Sequence, residues 1–474
     1  MKRNQHRLLT LVSAFLCLFI LLSAVAFASG KQESKKAEER PIVYEGWLRS
    51  WEGVSLVLST HQGPNTDAYK EMAKEFERIT GAKVTILDES WTDLLSKHLA
   101  SYAAHDGAYD LVTFFYGWFG HYVEGGLLQD LNKWFERKAI TDPSYAIEDF
   151  IPAVLEVYGR YKAGFFKDPN ALWAVPYKFD VYTAQYRADL FEQAGIVGKD
   201  GKARPPATWD ELLADAKILA KKFPNITPVV LPLAVDDPTV STFLPIICSY
   251  GAKKPNPWYD ANLYPQFQKE PGVRAARLLK DLMPFMPADV LNYDYDKVNT
   301  LMAQGMAAYA LNWNAYLPVL LDPAKSKITD SVRFDNTPGG VGGRPQGLGG
   351  WSIGLSSDSK NPEAAYQLLQ FLTGKKTAVG LALKGGSVAR SSAVSDAQVV
   401  AKFPYYPLLV EGAKDAVARG SDRSWTEIQR IIGVELSNIL LGADERKGLE
   451  ETARKVFDAA KQAGYNPEKS GARP

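Results

Sequence analysis

The sequence predicts an α/β protein built from two lobes. Apolar, strand-like segments alternate with segments of helical periodicity, and this alternation is typical of a mostly parallel sheet covered by helices. The strand-like segments occur at residues 54–58, 83–87, 109–115, 172–186, 227–233, 307–311 and 351–355. A chain of 474 residues exceeds what one hydrophobic core usually holds, so we expect two lobes rather than one.

Helix ends and chain breaks can be read from local signals. The segment 208–211, TWDE, has the form of a capping box and predicts a helix that continues to Lys222. Apolar spacing predicts a helix from Trp425 to Ile439 and another over residues 449–462. Seven glycines within residues 338–350 predict a break in regular structure, because ordering glycine costs the most backbone entropy.

Composition and charge exclude several classes of function. Hydrophobic residues make up 46% and charged residues 23%, as in soluble globular proteins. Lys and Arg total 55 against 54 Asp and Glu, so nothing favours a nucleic-acid partner and we predict none. Aromatic residues reach 12%, with 11 Trp, which agrees with a carbohydrate site although a large core also absorbs aromatics.

The first residues predict export. Cations at positions 2, 3 and 7 precede an apolar run at residues 8–27, which ends in the small-x-small pattern AFA at residues 26–28. We predict a signal peptide over residues 1–28, cleaved before Ser29, which leaves 52 Lys and Arg against 54 Asp and Glu. An uncleaved membrane anchor is the alternative, and either one places the protein in the periplasm or elsewhere outside the cytoplasm.

Two further features bear on the exported form. Residues 29–46 are polar at first and low in aromatics, and they predict a flexible spacer. Cys17 lacks the small preceding residue of a lipidation site, so we predict no lipid anchor. Cys248 has no partner in the mature chain and is expected to be a buried, inert thiol.

A serine-hydrolase pattern is present but is not supported by its surroundings. Residues 350–354, GWSIG, fit the G-x-S-x-G pattern, in which the catalytic histidine follows the serine. All five histidines precede Ser352, and the serine lies inside a predicted strand. We therefore predict that the protein is not an enzyme. An exported carbohydrate-active enzyme stays as the alternative, because sequence alone does not show which carboxylates meet.

No metal or cofactor site is predicted. The glycine-rich stretch lacks the lysine and the following helix of a phosphate loop. The histidines show no close pairing that would hold a transition metal. Asn292, Asp294 and Asp296 have the spacing that begins a calcium loop, but Lys297 and Ala303 stand where glycine and glutamate are needed.

With its segments in order, the chain resembles the family 1 extracellular solute-binding proteins of bacterial ABC transporters, which include maltose-binding and other sugar-binding proteins. The resemblance extends from about Val54 to Gly464. It is carried by residues 79–85 (ITGAKVT), 109–112 (YDLV), 125–131 (GGLLQDL), 171–177 (ALWAVPY), 186–191 (YRADLF), 194–195 (AG), 206–213 (PATWDELL), 304–308 (QGMAA) and 361–365 (NPEAA). Each segment is weak alone, and their shared order is specific to the family.

The resemblance implies a type II periplasmic-binding-protein fold whose two lobes close on a ligand by hinge motion. It implies three crossovers between the lobes, which we place near residues 176–180, in the glycine-rich stretch before Trp351, and near 400–405. Lobe 1 would then comprise residues 47–177 and 350–402. Lobe 2 would comprise residues 178–349 and 403–474.

The resemblance also implies a ligand site in the cleft, where flat rings meet the apolar sides of sugars and polar groups meet hydroxyls. The candidate ligand-binding residues are His61, Gln62, Phe114, Tyr116, Trp118, Lys178, Asp180, Trp313, Asn314, Gly350, Trp351 and Arg390. Most of them follow strands or adjoin crossovers, the positions at which ligands of open α/β sheets gather. A core position is the alternative for an isolated aromatic such as Phe114.

The function implied by the resemblance is the capture of a sugar or oligosaccharide and its delivery to the membrane permease of an ABC importer. The expected partners are a small-molecule sugar and that permease, with the binding protein itself a monomer and without a cofactor. A binding protein for a non-sugar solute has the same fold and is the second alternative. The sequence does not name the solute.

Overall fold

The computed structural model describes residues 36–162, 168–254 and 256–474, except the side chains of Pro64 and Thr92. Residues Ile42–Pro474 form one body. Its strands are β1 (Ile42–Tyr44), β2 (Leu48–Arg49), β3 (Ser55–His61), β4 (Lys83–Glu89), β5 (Leu111–Phe115), β6 (Val175–Arg187), β7 (Thr227–Val230), β8 (Ala307–Trp313), β9 (Val332–Asn336), β10 (Gln346–Leu355) and β11 (Ala416–Val417).

Helices cover the strands throughout the described residues. In chain order they are α1 (Pro64–Thr80), α2 (Trp91–Ala104), α3 (Phe119–Glu124), α4 (Leu131–Phe135), α5 (Pro152–Gly159), α6 (Ala188–Gln193), α7 (Trp209–Lys222), α8 (Asp237–Ser249), α9 (Glu270–Leu282), α10 (Tyr295–Ala303), α11 (Leu317–Leu320), α12 (Pro362–Thr373), α13 (Lys375–Leu383), α14 (Ser391–Val394), α15 (Ala397–Lys402), α16 (Tyr406–Ala413), α17 (Trp425–Leu440) and α18 (Glu445–Gln462).

One large mixed sheet organises the body. Its central order is β4-β3-β5-β10-β6-β8-β7, with β11 paired to β10 and β9 paired to β6. The pairs β3–β4, β3–β5, β7–β8 and β10–β11 are parallel, whereas β10 and β6 pair antiparallel with their main neighbours. The expectation of a mostly parallel sheet is therefore wrong for the centre, where the two longest strands run against their neighbours.

Strands β6 and β10 each pass between two groups of strands. Residues 175–181 of β6 pair with β10, and residues 182–187 pair with β8 and β9. In β10, residues 351–355 pair with β5, while residues 346 and 347 pair with β11. These two strands join the β3–β4–β5 group to the β7–β8–β9 group close to two of the crossover positions expected from sequence.

The glycine-rich stretch is more regular than its composition predicts. Strand β10 begins at Gln346, so Gly347, Gly349 and Gly350 lie inside it instead of before it. Neighbours approach the strand closely: a Cβ on Gly349 would lie 2.9 Å from the ring of Trp313. Gly350 has φ +112°, and a Cβ there would lie 2.3 Å from the carbonyl oxygen of Lys178. Packing on both sides of the strand offsets the entropic cost of ordering these glycines.

Helix signals in the sequence agree well with the structure. Thr208 accepts a hydrogen bond from the backbone N–H of Glu211 at 3.2 Å and so caps α7 as expected. The predicted tail helices are α17 and α18, which pack against each other, and α17 also packs on α8. Cys248 is buried within α8, as the sequence predicts.

Regular structure begins earlier than the sequence predicts. Strand β1 pairs antiparallel with β2, so the segment expected to be a flexible spacer up to residue 46 already contains a strand. The predicted signal peptide and Cys17 lie outside the described residues. Within the described part of the chain, the helices are all too short or too polar to cross a membrane.

Candidate functional site

A cavity opens where β3, β6 and β10 come together. Its volume is about 400 Å³, including the part open to solvent. The residues that line it come from the end of β3, the start of α1, β6, the residues after β8, β10 and the loop after α13: His61, Gln62, Gly63, Asn65, Thr66, Tyr177, Lys178, Ala315, Trp351, Gly385 and Ser387. Four of the twelve sequence candidates, His61, Gln62, Lys178 and Trp351, are among them.

Two of the lining residues, His61 and Trp351, belong to a cluster of four aromatic rings, which we call the aromatic wall: His61, Trp91, Trp118 and Trp351. The ring of His61 stacks on Trp351 with centroids 4.7 Å apart. Trp91 packs against Trp118 at 4.7 Å and meets Trp351 edge-on at 5.5 Å. Each ring of the aromatic wall therefore contacts another, which holds it in place and keeps a flat apolar face at the site.

The histidine of the aromatic wall is neutral at physiological pH. Burial, with a smaller contribution from the nearby charge of Lys178, lowers the pKa of His61 to about 4. Desolvation acts in this direction because it disfavours the charged imidazolium. His61 therefore offers a ring face and a neutral nitrogen to a ligand, and no charge.

Next to the aromatic wall lies a charged pair, Lys178, which lines the cavity, and Asp180, two residues further along β6; we call this pair the polar wall. The Lys178 Nζ lies 3.2 Å from Asp180 Oδ2. Asp180 is only 5% exposed, and its Oδ1 atom has no hydrogen-bond donor among the described residues. A buried carboxylate oxygen without a donor is costly, so this atom has unused capacity to accept a hydrogen bond.

Strand register explains why these groups meet. Lys178 is the cross-strand partner of Trp351, and Asp180 is the partner of Gly349. Alternate residues of a strand face the same side, and directly opposed residues of an antiparallel pair share that side. Trp351 therefore stands beside Lys178, while the absence of a side chain at Gly349 leaves space beside Asp180 that a neighbouring ring occupies.

The ring that occupies this space is Trp313, at the end of β8. Its ring lies against Gly349 and meets Tyr182 edge-on at 4.6 Å. The following residue, Asn314, is buried and joins the end of β8 to β6: its side-chain oxygen accepts a hydrogen bond from the backbone N–H of Val181 at 2.5 Å. Asn314 thus holds β6 in place, and its side-chain oxygen is already used.

Three sequence candidates lie in the core instead of at the cavity. Phe114 is completely buried and stacks on Tyr122 at 4.3 Å, because the β5 side chain at that position faces the helices. Tyr116 is also buried; its hydroxyl donates to the carbonyl of Leu348 at 2.9 Å and stabilises the junction of β5 and β10. The expectation that these two rings contact a ligand is not supported by their positions.

Arg390 is the third sequence candidate that lies in the core. Its guanidinium donates to the carbonyls of Thr373, Tyr145 and Ala146 at 2.6–2.8 Å. It also lies over the rings of Tyr145 and Phe150, with Cζ 4.4 and 4.0 Å from their centroids. These contacts use most of its donors to join neighbouring loops, so its role here is structural.

Trp91 of the aromatic wall and Asn65 of the cavity lining are not among the sequence candidates. Trp91 is the first residue of α2 and follows the end of β4, so the strand-end argument applied to β3 and β5 also fits it. Asn65 exchanges hydrogen bonds with the backbone of Ser387 at 2.9 and 3.0 Å, which ties the start of α1 to the loop after α13. No sequence signal indicates the contact between Asn65 and Ser387.

Hydrolase and metal chemistry find no support at this site. Ser352, the serine of the G-x-S-x-G pattern, is completely buried and donates to the carbonyl of Tyr158 at 2.7 Å. Within the described residues, no three His, Cys, Asp or Glu side chains are grouped so as to hold a metal ion. The arrangement consists of flat rings and one charged pair, which suits the binding of a small molecule.

Comparison with known proteins agrees with this geometry. The sequence profile described as bacterial extracellular solute-binding protein matches residues 62–379. A probable amino-acid ABC transporter periplasmic-binding protein of Sinorhizobium fredii is 24% identical over 372 residues, which cover 78% of this chain and 80% of that protein. An erythritol/L-threitol-binding protein of Mycolicibacterium smegmatis is 20% identical over 392 residues, with 82% and 80% covered.

Among solved structures, an ABC transporter solute-binding protein of Agrobacterium radiobacter in complex with ribitol is similar over most of the chain. Its TM-score is 0.75 at 26% identity, covering 87% of this chain and 100% of that one. This likeness confirms the type II periplasmic-binding-protein fold, and the profile match confirms the resemblance found in the sequence. The chain belongs to the family of bacterial extracellular solute-binding proteins.

Proposed function

We propose that this protein binds a small, neutral, polyhydroxylated solute, a polyol or a sugar, and delivers it to an ABC transporter permease. The observation that carries the proposal is Asp180, a buried carboxylate with one oxygen free of donors, placed beside the aromatic wall. Hydroxyl groups supply the donors that this oxygen lacks. The C–H faces of the same molecule pack on flat rings.

Charge balance favours a neutral solute. Lys178 and Asp180 compensate each other, and the lowered pKa of His61 leaves that ring uncharged. A phosphorylated solute would bring about two negative charges to a site that offers one, already paired, lysine. An amino acid is the main competitor, because its two charges could separate the Lys178–Asp180 pair, and one relative is named as a probable amino-acid-binding protein.

Known binders support the polyol class. The Mycolicibacterium relative is named for erythritol and L-threitol, and the Agrobacterium structure contains ribitol. Both solutes are short, neutral chains of hydroxyl groups. A site with one free acceptor, one ammonium group and a flat aromatic face fits such a chain, and it also fits a monosaccharide ring.

The same proposal extends to export, oligomeric state and the movement of the lobes. We expect an exported monomer with a cleaved leader that releases its solute unchanged and has no catalytic activity. We also propose that β6, β10 and the connection between α15 and α16 join two lobes, with the boundaries expected from sequence, and that hinge motion closes them on the solute. The pairing of β6 and β10 with two strand groups supports the first two connections.

A melting-temperature screen tests the proposal. Purified protein without the leader is heated with ribitol, erythritol, D-mannitol, glucose, maltose, glucose 6-phosphate and a set of L-amino acids. Binding to the folded state raises the Tm, by an amount that grows with ligand concentration over Kd. We expect neutral polyols or sugars to raise the Tm and the phosphorylated sugar to leave it unchanged.

Titration calorimetry and product analysis complete the test. Each hit is titrated to obtain Kd, and the solute is recovered and checked for chemical change. A response only to amino acids would contradict the polyol or sugar assignment while keeping the binding function. Cleaved or modified solute would instead support the alternative of an exported carbohydrate-active enzyme.

A further inference from the structure

Arg419 is a buried cation that the sequence analysis did not single out. It is only 5% exposed and follows β11 by two residues. Strand β11 pairs in parallel with the start of β10, through Gln346 and Gly347. This pairing places Arg419 alongside Leu348 and Gly349, next to the position where the ring of Trp313 packs on Gly349.

The guanidinium of Arg419 is held by polar partners from two separate parts of the chain. It donates to the carboxylate of Asp237 and, at 3.0 Å, to the hydroxyl of Ser241, both in α8. On its other side it donates to the hydroxyl of Tyr116 at 3.3 Å. Asp237 accepts a further hydrogen bond from Tyr295 at 2.7 Å, so its carboxylate is fixed as well.

The same guanidinium packs against rings. Its Cζ lies 4.4 Å from the ring centroid of Phe115 and 5.3 Å from that of Trp313. Trp313 in turn lies against Gly349, where a Cβ would come within 2.9 Å of the ring, and against the edge of Tyr182. The indole of Trp313 is therefore confined by Arg419, by Tyr182 and by the backbone of β10.

We propose that Arg419 is a positioning residue for the solute site, which fixes the Trp313 ring against Gly349 and thereby sets how long a solute the site accepts. This inference rests on the proposed function. Gly349 is the cross-strand partner of Asp180, so a solute held by Asp180 reaches Trp313 as it extends along β10. Moving the indole changes the room for the far end of the solute and leaves the contact with Asp180 in place.

A purely structural role predicts a different result. If the Arg419–Asp237 pair only stabilises the fold, its removal lowers the Tm and leaves the preference among solutes unchanged. Removing one partner alone would leave an uncompensated buried charge, so both are neutralised together in the double variant Arg419→Gln/Asp237→Asn. Arg419→Lys, which keeps the charge but loses the planar fork, serves as a second variant if the double variant does not fold.

The experiment is a double-mutant cycle on selectivity. Calorimetry gives the Kd for ribitol and for the longer D-mannitol in wild type, in the double variant, in Trp313→Phe and in the triple variant. We expect the ratio of the two Kd values to change by about fivefold or more in the double variant, and by less than about twofold when the same changes are added to Trp313→Phe.

A second readout needs no solute. The indole N–H resonance of Trp313, assigned through its loss in Trp313→Phe, should shift in the double variant or in Arg419→Lys. The matched control is Arg430→Gln, which removes an exposed arginine that pairs with Glu427 on α17 and should leave both the ratio and the resonance unchanged.

The outcomes separate this inference from the proposed function. An unchanged Kd ratio with an unchanged Trp313 resonance overturns the role of Arg419, whichever solutes bind. The role of Arg419 is also overturned if the double variant changes the Kd ratio as strongly in the Trp313→Phe background as in wild type. If wild type binds only amino acids, the proposed function has failed, and the same cycle with a short and a long amino acid, together with the resonance, still decides the role of Arg419.

Discussion

The aromatic wall and the polar wall differ in how many of their possible interactions the protein itself already makes. In the aromatic wall, His61, Trp91, Trp118 and Trp351 contact one another, so packing satisfies each ring. In the polar wall, Asp180 keeps an oxygen without a donor in the described structure. A bound solute gains the most interaction free energy where a protein group still lacks a partner. We therefore expect the aromatic wall to contribute mainly to stability and the polar wall mainly to affinity.

The largest expected effect is on stability. Trp118 is 6% exposed and packs on Trp91 and Trp351, so Trp118→Ala removes a buried ring from the aromatic wall. We expect the free energy of unfolding to fall by about 3–5 kcal/mol, measured by urea denaturation. Trp134→Ala, at a partly exposed tryptophan away from the cavity, is the matched control and should cost less. Equal losses in the two variants would contradict the packing argument.

The polar wall gives the next effect, and it is on affinity. Asp180→Asn keeps the shape of the side chain and replaces its charged acceptor by a neutral amide. Hydrogen bonds to charged groups contribute about 1.5–3 kcal/mol, so we expect the Kd of the bound polyol or sugar to rise by about 10- to 150-fold in calorimetry. Asp200→Asn, at an exposed aspartate, should leave Kd unchanged. An unaltered Kd in Asp180→Asn would remove Asp180 from the site.

A substitution at Trp91 tests whether the aromatic wall contributes to stability alone or also to affinity. Trp91 belongs to the aromatic wall but is 37% exposed, so it is the ring with most surface left to offer. We expect Trp91→Ala to weaken solute binding by about 1 kcal/mol and to lower stability less than Trp118→Ala does. A loss of stability as large as that of Trp118→Ala would show that exposure does not divide the two roles.

The smallest effect is a dependence of stability on pH. Burial, with a further contribution from Lys178, lowers the pKa of His61 to about 4, from about 6.5 in the unfolded chain. Between these values the unfolded state binds more protons, so stability rises with pH and is lost as the pH falls below about 6.5. This accounts for about 1 kcal/mol between pH 7.5 and 5.5.

His61→Gln should remove this contribution to the pH dependence of the free energy of unfolding. Urea denaturation curves of both proteins at pH 7.5 and 5.5 would measure the change. His98 has its own lowered pKa, also from burial, and its contribution remains in the variant. A slope unchanged by His61→Gln would mean that His61 is not buried in the folded protein as described.

The sequence by itself determined the class of fold and much of its order. Alternating apolar segments predicted α/β structure, capping signals placed α7, and periodicity placed α17 and α18, because such signals depend on neighbours within a few residues. Strand ends also indicated a region for the site, since the ends of neighbouring strands meet at a common edge. His61, Lys178 and Trp351 do line one cavity.

Tertiary structure alone decided which side of each strand faces that cavity. Phe114 and Tyr116 follow the same strand-end argument as Trp118, yet Phe114 packs on Tyr122 and Tyr116 donates to Leu348, whereas Trp118 joins the aromatic wall. The chain leaves β5 at a short 3-10 turn, so strand alternation no longer sets where these side chains lie. The glycines of β10 are regular only because Trp313 and β6 approach them closely. Contacts such as His61 on Trp351 or Arg419 on Trp313 join distant parts of the chain. No local signal encodes such contacts, because they exist only once the strands have paired in register.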